Sequence, residues 1–185
     1  SDGKTTLKSY NLVYLSQESI DKVVDASYQG VAGEEVDGIA TYSSIQEAVS
    51  SIPSSNQERV TIFVRNGVYK EKTIVESPYI SIIGEDSQKT IWTYDAAHKT
   101  INPETGVKYG TSGSASVTVK AKAIGFSAEN ITIENSFIEA GEANEQAVAL
   151  HNQADQSMFI NVRFIGNQDT LLANTSSQET AARQY

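Results

Sequence analysis

With 185 residues, 23 acidic against 14 basic side chains and a formal net charge of −9, the chain is acidic and long enough for one domain with a sizeable core. The charge argues against a nucleic-acid partner, whose phosphates recruit Lys and Arg, and serves solubility first. Cysteine is absent, so there is no disulfide framework or thiolate metal site, and no apolar run reaches the roughly 18 residues that span a membrane.

The sequence begins at Ser1 without a basic and apolar leader, as expected of a chain whose signal has been removed or which was cut here. Residues 1–35 read as an N-terminal extension or cap. Within them "NLVYLS" fits a strand, and "SQESIDKVV" fits a short helix with Ile20, Val23 and Val24 on one face. Glu34, Glu35 and Asp37 form an acidic cluster that reads as a solvated loop.

From residue 36 onward the signals strengthen, and 36–185 reads as one domain. "TYSSIQEAVSSIP" predicts a helix: Ile45, Ala48, Val49 and Ile52 share a face, Ser44 and Glu47 have capping-box spacing, and Pro53 stops it. Seven short strands follow, at 59–64, 79–84, 89–94, 115–121, 130–138, 146–150 and 157–165. They are rich in Val, Ile, Thr and Phe and bounded by turn residues. No amphipathic helix of useful length separates them, which excludes a βαβ chain.

"ITIENSFI" and "MFINVRFI" align at an offset of 27 residues, matching Ile131, Ile133, Phe137 and Ile138 to Met158, Ile160, Phe164 and Ile165. Near-repeats of this length suit a parallel β-solenoid, in which each coil stacks on the last. Asn130, Asn135 and Asn161 then suit amide stacking between coils or ordinary turns.

"GNQDTLL" (166–172) puts Gln168, Asp169 and Thr170 side by side directly after an apolar stretch. A carboxylate can act as acid, base or nucleophile, and an amide N–H can stabilise an oxyanion. An Asx turn capped by Thr170 is the plainer account of these three residues alone. Gln146, opening the apolar "QAVAL" about one coil earlier, changes the balance. Two amides and a carboxylate on one face of a solenoid make a site suited to carbonyl chemistry.

Other polar and aromatic residues read more simply. His151 lacks a second histidine nearby, so it reads as a surface or groove residue and not a metal ligand. His98 reads as a loop residue and Trp92 as core. "NIT" and "NTS" fit the glycosylation pattern, with Asn130 at a predicted coil corner.

The chain resembles the pectinesterases (pectin methylesterases) from about Val36 to Tyr185. The resemblance is carried by "YSSIQEAVSSIP", "VTIFVRNGVYKEK", "ISIIGEDSQKTIW", "TSGSASVTV", "GFSAENITIENSF", "EQAVALHNQADQSMFINVRFIGNQDTLL" and "RQY", with "QAVAL" and "QDTL" as defining motifs. It implies an all-β fold, a right-handed parallel β-helix with an N-terminal capping α-helix, ending here before its C-terminal coils.

The resemblance also implies roles. Asp169 is the general acid/base, Gln168 stabilises the tetrahedral transition state, and Gln146 is a second amide contacting substrate and oxyanion. Thr111 contacts substrate, and Tyr69 is structural, its hydroxyl tethering coils. The implied reaction removes methyl groups from homogalacturonan, releasing methanol, with no metal or organic cofactor. A carboxylic acid can protonate the methoxide only where burial or a second carboxylate favours its neutral form.

The sequence departs from the family in two respects. The nucleophilic aspartate of a "DFIFG"-like motif and the arginine of a "GRPW"-like motif are not among the 185 residues. They are expected on a C-terminal remainder of the same precursor, with polar "NTSSQETAARQY" as an exposed, nick-prone loop. Leu172 stands where the family usually has a tyrosine lining the sugar groove.

The implied setting is secreted: extracellular or periplasmic, with pectin as partner and neither membrane nor nucleic acid. A non-catalytic pectin-binding solenoid, a pectate lyase and a polygalacturonase are the alternatives. A lyase needs a calcium-binding carboxylate cluster, and a polygalacturonase needs clustered aspartates.

Overall fold

The computed structural model describes residues 19–138 and 145–174. The predicted strand "NLVYLS" and all of the predicted loop 174–185 except Asn174 lie outside them.

The first described segment holds three strands and a helix: β1 (Lys22–Val24), β2 (Glu34–Val36), β3 (Ile39–Tyr42) and α1 (Ile45–Ser50). The helix forms as its sequence dictates. Ser44 caps it, its hydroxyl accepting from Glu47 N at 3.2 Å, and Ile45, Ala48, Val49 and Ile52 are buried. Its first two free N–H groups, of Ile45 and Gln46, donate to the Glu71 carboxylate at 2.8 Å each, tying the cap to the coil beneath it. Burial pushes the Glu71 carboxyl above its ordinary range despite these two bonds.

The helix expected in "SQESIDKVV" is instead strand β1, lying between β3 and β4 (Val60–Val64) in the first sheet. Ile20, Val23 and Val24 fit either period, and pairing on both edges decides for the strand. The acidic cluster is also more ordered than a loop. Glu34 and Glu35 lie on β2, which pairs antiparallel with β3 across a two-residue turn, Asp37-Gly38, with φ of 53° and 80°. Asp-Gly at positive φ is a hairpin signal, here overlooked behind the charges.

Four coils follow. The first comprises β4, β5 (Gly67–Lys70) and β6 (Thr73–Val75). The second comprises β7 (Ile80–Gly84), β8 (Thr90–Tyr94), the single helical turn α2 (Gly110–Gly113) and β9 (Val117–Val119). The third has β10 (Ser127–Glu129), β11 (Thr132–Asn135) and β12 (Leu150–Asn152), and the fourth β13 (Met158–Ile160), β14 (Arg163–Ile165) and β15 (Leu171–Ala173).

Each coil places one strand in each of three sheets, ordered β13-β10-β7-β4-β1-β3-β2, β14-β11-β8-β5 and β15-β12-β9-β6. All pairs between coils are parallel. This is a parallel β-helix capped by α1.

Inward residues stack in rows through the coils. Ile62, Ile82 and Ala128 align in the first sheet, and Tyr69, Trp92 and Ile133 in the second. Val75, Val119 and Asn152 align in the third. Each large apolar side chain so buried contributes about 1.5–3 kcal/mol. Trp92 is fully buried, as expected, and its indole N–H donates to Thr73 Oγ1 at 2.8 Å. The Tyr69 hydroxyl donates to the Arg65 carbonyl at 2.9 Å and accepts from Ala26 N at 3.3 Å, the tether expected of it. Burial raises its pKa.

The coil repeat is real, but its offset is not 27. Ser127 pairs with Met158 and Thr132 with Arg163, an offset of 31. Matching apolar residues slides easily along a strand, because the side-chain period is two. The corners fix the register. Asn130 and Asn161 both have positive φ (55° and 49°), and Asn161 Nδ2 donates to Asn130 Oδ1 at 2.7 Å. Asn130 Nδ2 in turn reaches the carbonyls of Gly84 and Glu85. This amide ladder occupies the side chain that the "NIT" pattern would glycosylate.

Asn135 takes no part in the ladder. It is buried, with Nδ2 between the carbonyls of Ala96, Ser114 and Val148. Gly84 lies so close to the ladder that a Cβ there would sit 2.3 Å from Asn130 O.

Candidate active site

The predicted site lies where the third and fourth coils meet along the third sheet. "QAVAL" is not itself a strand, since β12 begins only at Leu150. Ala147, Val148 and Ala149 are instead fully buried in the approach to it. Their backbone is nonetheless pinned to the next coil. Ala147 N donates to Gln168 O at 2.9 Å, and Ala149 N and Leu150 N donate to Thr170 O at 2.9 and 3.1 Å. Two distant motifs, "QAVAL" and "QDTL", are thereby laid side by side.

Gln146 and Gln168 are half-buried and Asp169 is exposed. Asp169 has φ of 55°, a left-handed conformation that Asp tolerates better than most residues. The turn also needs Gly166, where a Cβ would stand 2.8 Å from Thr170 Oγ1. Gln168 Oε1 is buried with no hydrogen-bond partner among the described residues. A buried polar atom left unpaired costs about 1–3 kcal/mol.

Thr111, on α2, joins this arrangement through His98. The His98 backbone N–H donates to Gln146 O at 2.8 Å, and its Nδ1 shares a hydrogen bond of 2.9 Å with Thr111 Oγ1. His98 is thus a connector between two expected site residues, not a plain loop residue.

Leu172 continues an outward row on the third sheet, Ile74–Thr118–His151–Leu172, set by the strand register. His151 is 6% exposed in that row and donates from Nε2 to Asn174 Oδ1 at 2.8 Å. Burial pushes its pKa down against that bond, with Lys120 and Lys72 adding to the depression.

A cleft of about 790 Å³ opens along the same face. Its cations and rings, Lys72, Lys120, Tyr94 and Tyr109, carried no signal in the sequence, because they come from separate coils and loops. Among the described residues, no group of three or more His, Cys, Asp or Glu side chains is arranged to hold a metal, and no helix is long and apolar enough to cross a membrane.

This geometry has relatives. The chain matches the pectinesterase family over residues 32–182. It is 40% identical over 138 residues to Pectinesterase QRT1 of Arabidopsis thaliana, covering 72% of this chain and 36% of that protein. It is 32% identical over 171 residues to Probable pectinesterase 50 of the same plant, covering 91% of this chain and 44% of that one. Among solved structures it resembles pectin methylesterase PemA from Erwinia chrysanthemi, with TM-score 0.72 and 27% identity over 85% of this chain and 46% of that one. The carrot enzyme is similar, at TM-score 0.66 and 30% identity over 85% and 43%.

The chain therefore spans less than half the length of these relatives. The stacked coils are those of a right-handed parallel β-helix, and the chain belongs to the pectinesterase family.

Proposed function

We propose that the protein carrying this chain is a pectin methylesterase acting on methyl-esterified homogalacturonan in a secreted, extracellular or periplasmic setting. An aspartate outside the 185 residues attacks the ester carbonyl, and negative charge develops on its oxygen. Nε2–H donors of Gln146 and Gln168 stabilise that oxyanion. Asp169, as its acid, gives a proton to the departing methoxide, which leaves as methanol. As its base, it then takes a proton from the water that hydrolyses the acyl-enzyme. An arginine, also outside these residues, holds the substrate, and Thr111 and Leu172 line the sugar path.

The reaction uses no metal or organic cofactor.

The observation that carries the proposal is the backbone lock between Ala147 and Gln168, which sets Gln146 and Gln168 on adjoining coils. A solved structure to which the chain is similar, a pectin methylesterase in complex with a hexasaccharide, supports the reading. The test is methanol release from methylated pectin by the full-length protein. Binding of pectin without methanol release would replace the esterase with a binding solenoid.

A further inference from the structure

The excursion 95–109 leaves the second coil between β8 and α2 and folds back onto the residues that open "QAVAL". Two consecutive residues make the return. Lys99 N donates to Glu145 Oε2 at 3.2 Å, and the Lys99 ammonium stands 3.5 Å from the same carboxylate. His98 N donates to Gln146 O at 2.8 Å, and His98 O accepts from Gly110 N at 3.0 Å. The main chain at residue 98 is thereby tied at once to Gln146 and to the start of α2.

The fold secures this neighbourhood without the imidazole. Asn135 Nδ2 donates to the carbonyls of Ala96, Ser114 and Val148 at 2.8, 3.2 and 2.9 Å, joining the excursion, the end of α2 and the approach to β12. Ser114 Oγ accepts from Val148 N at 3.1 Å and donates to Thr111 O at 2.7 Å. Ala97 N donates to Thr100 Oγ1 at 2.8 Å within the excursion. The main chain at 98, 111 and 146 is therefore placed by bonds in which the ring takes no part.

What the ring adds is one bond, between Nδ1 and Thr111 Oγ1 at 2.9 Å. The Thr111 side chain makes no other hydrogen bond among the described residues. A threonine hydroxyl rotates to suit its partners, so this bond decides which way its proton and lone pairs face.

We propose that His98 is a positioning residue for the ester-cleaving site, its ring presetting the Thr111 hydroxyl for the sugar while its main chain holds Gln146. The inference rests on the methylesterase reading for what Thr111 and Gln146 do. A hydroxyl fixed before the ligand arrives does not have to be ordered by it, which favours binding. Thr111 meets the sugar and not the reacting bonds, so its presetting acts alike on bound substrate and transition state and shows in KM. Gln146 is held through the main chain of residue 98, which no side-chain substitution removes, so kcat stays.

The test is a set of variants of the full-length protein, assayed for methanol release from methylated pectin. His98→Leu keeps bulk and removes the bond to Thr111; KM should rise about three- to tenfold, the range of one neutral hydrogen bond, with kcat within about twofold of wild type. His98→Asn sets an amide atom as many bonds from the main chain as Nδ1 and should restore KM to within about twofold. In a Thr111→Val background, His98→Leu should raise KM no further, because the two residues act as one unit. If His98→Leu does not fold, His98→Ala carries the same comparison, and failure of both to fold would make the ring structural and overturn the proposal. Calorimetric titration of a methyl-esterified oligogalacturonide reads the same pattern without turnover.

An unchanged KM and affinity in His98→Leu would overturn the proposal and leave the esterase standing. So would a fall in kcat at constant KM, a failure of His98→Asn to rescue, or a further full loss in the Thr111→Val background. Oligogalacturonide binding that depends on His98 through Thr111, with no methanol released by wild type, would keep the positioning role and remove the esterase.

Discussion

Replacing Gln168 by methionine separates a functional glutamine from a structural one, because the two roles give opposite signs for stability and turnover. The Gln168 side chain makes no hydrogen bond among the described residues, and its Oε1 is buried. Methionine keeps the length and removes the unsatisfied oxygen. Relief of that desolvation is worth about 1–3 kcal/mol, and no protein hydrogen bond is lost in exchange. Gln168→Met should therefore be more stable than wild type by about 1–2 kcal/mol in denaturant unfolding. Turnover should fall about 10²–10³-fold, the loss measured when one oxyanion donor is removed. A gain in stability paired with a loss of activity is the pattern of a site maintained against its own folding energy. Chemical denaturation and methanol release, run on the same preparation of the full-length protein, supply both readouts. A variant that is less stable than wild type, or that turns over at the wild-type rate, would refute the reasoning.

Two further outcomes follow from the coils themselves. Gly84→Ala brings a Cβ to 2.3 Å from the Asn130 carbonyl, so the corner must move; a loss of about 3 kcal/mol in unfolding free energy is expected, and a loss under about 0.5 kcal/mol would show that the ladder corner yields freely. Lys72, held near pKa 8 by burial against an ordinary value of 10.5, binds its proton less tightly folded than unfolded. Between about pH 8 and 10.5 the unfolded state holds more protons, so this residue makes stability rise with pH through that window. Stability measured from pH 7 to 11 should show a rise that Lys72→Met abolishes, while an identical profile in the variant would assign the rise elsewhere.

What the sequence reveals here depends on how local the cause is. Helix α1 is legible because its cap, apolar face and terminating proline lie within thirteen residues. Strands β4, β7 and β8 are legible because β-branched runs between turn residues have few alternatives. Strand β1 is not, because three apolar residues fit both periods and only pairing with β3 and β4 chooses between them. The parallel solenoid is inferred correctly from a repeat whose register is wrong by four residues. The asparagine corners, not the apolar pattern, held the true offset.

The candidate site divides along the same line. Gln146, Gln168 and Asp169 sit in compact motifs and could be named, as could Thr111 and Leu172 from the family resemblance. The connection of Thr111 to Gln146 through His98 depends on a loop folding back, and the lysine cleft gathers Lys72, Lys108 and Lys120 from different turns of the chain. No spacing in the sequence records either.

The most direct test concerns Asp169. Methanol release from methylated pectin should be readily measured for the full-length wild-type protein and should drop about 10²–10⁴-fold in Asp169→Asn, the share usually supplied by a general acid and base, with its folded spectrum unchanged. A folded Asp169→Asn protein releasing methanol at close to the wild-type rate would contradict the assignment on which this account rests.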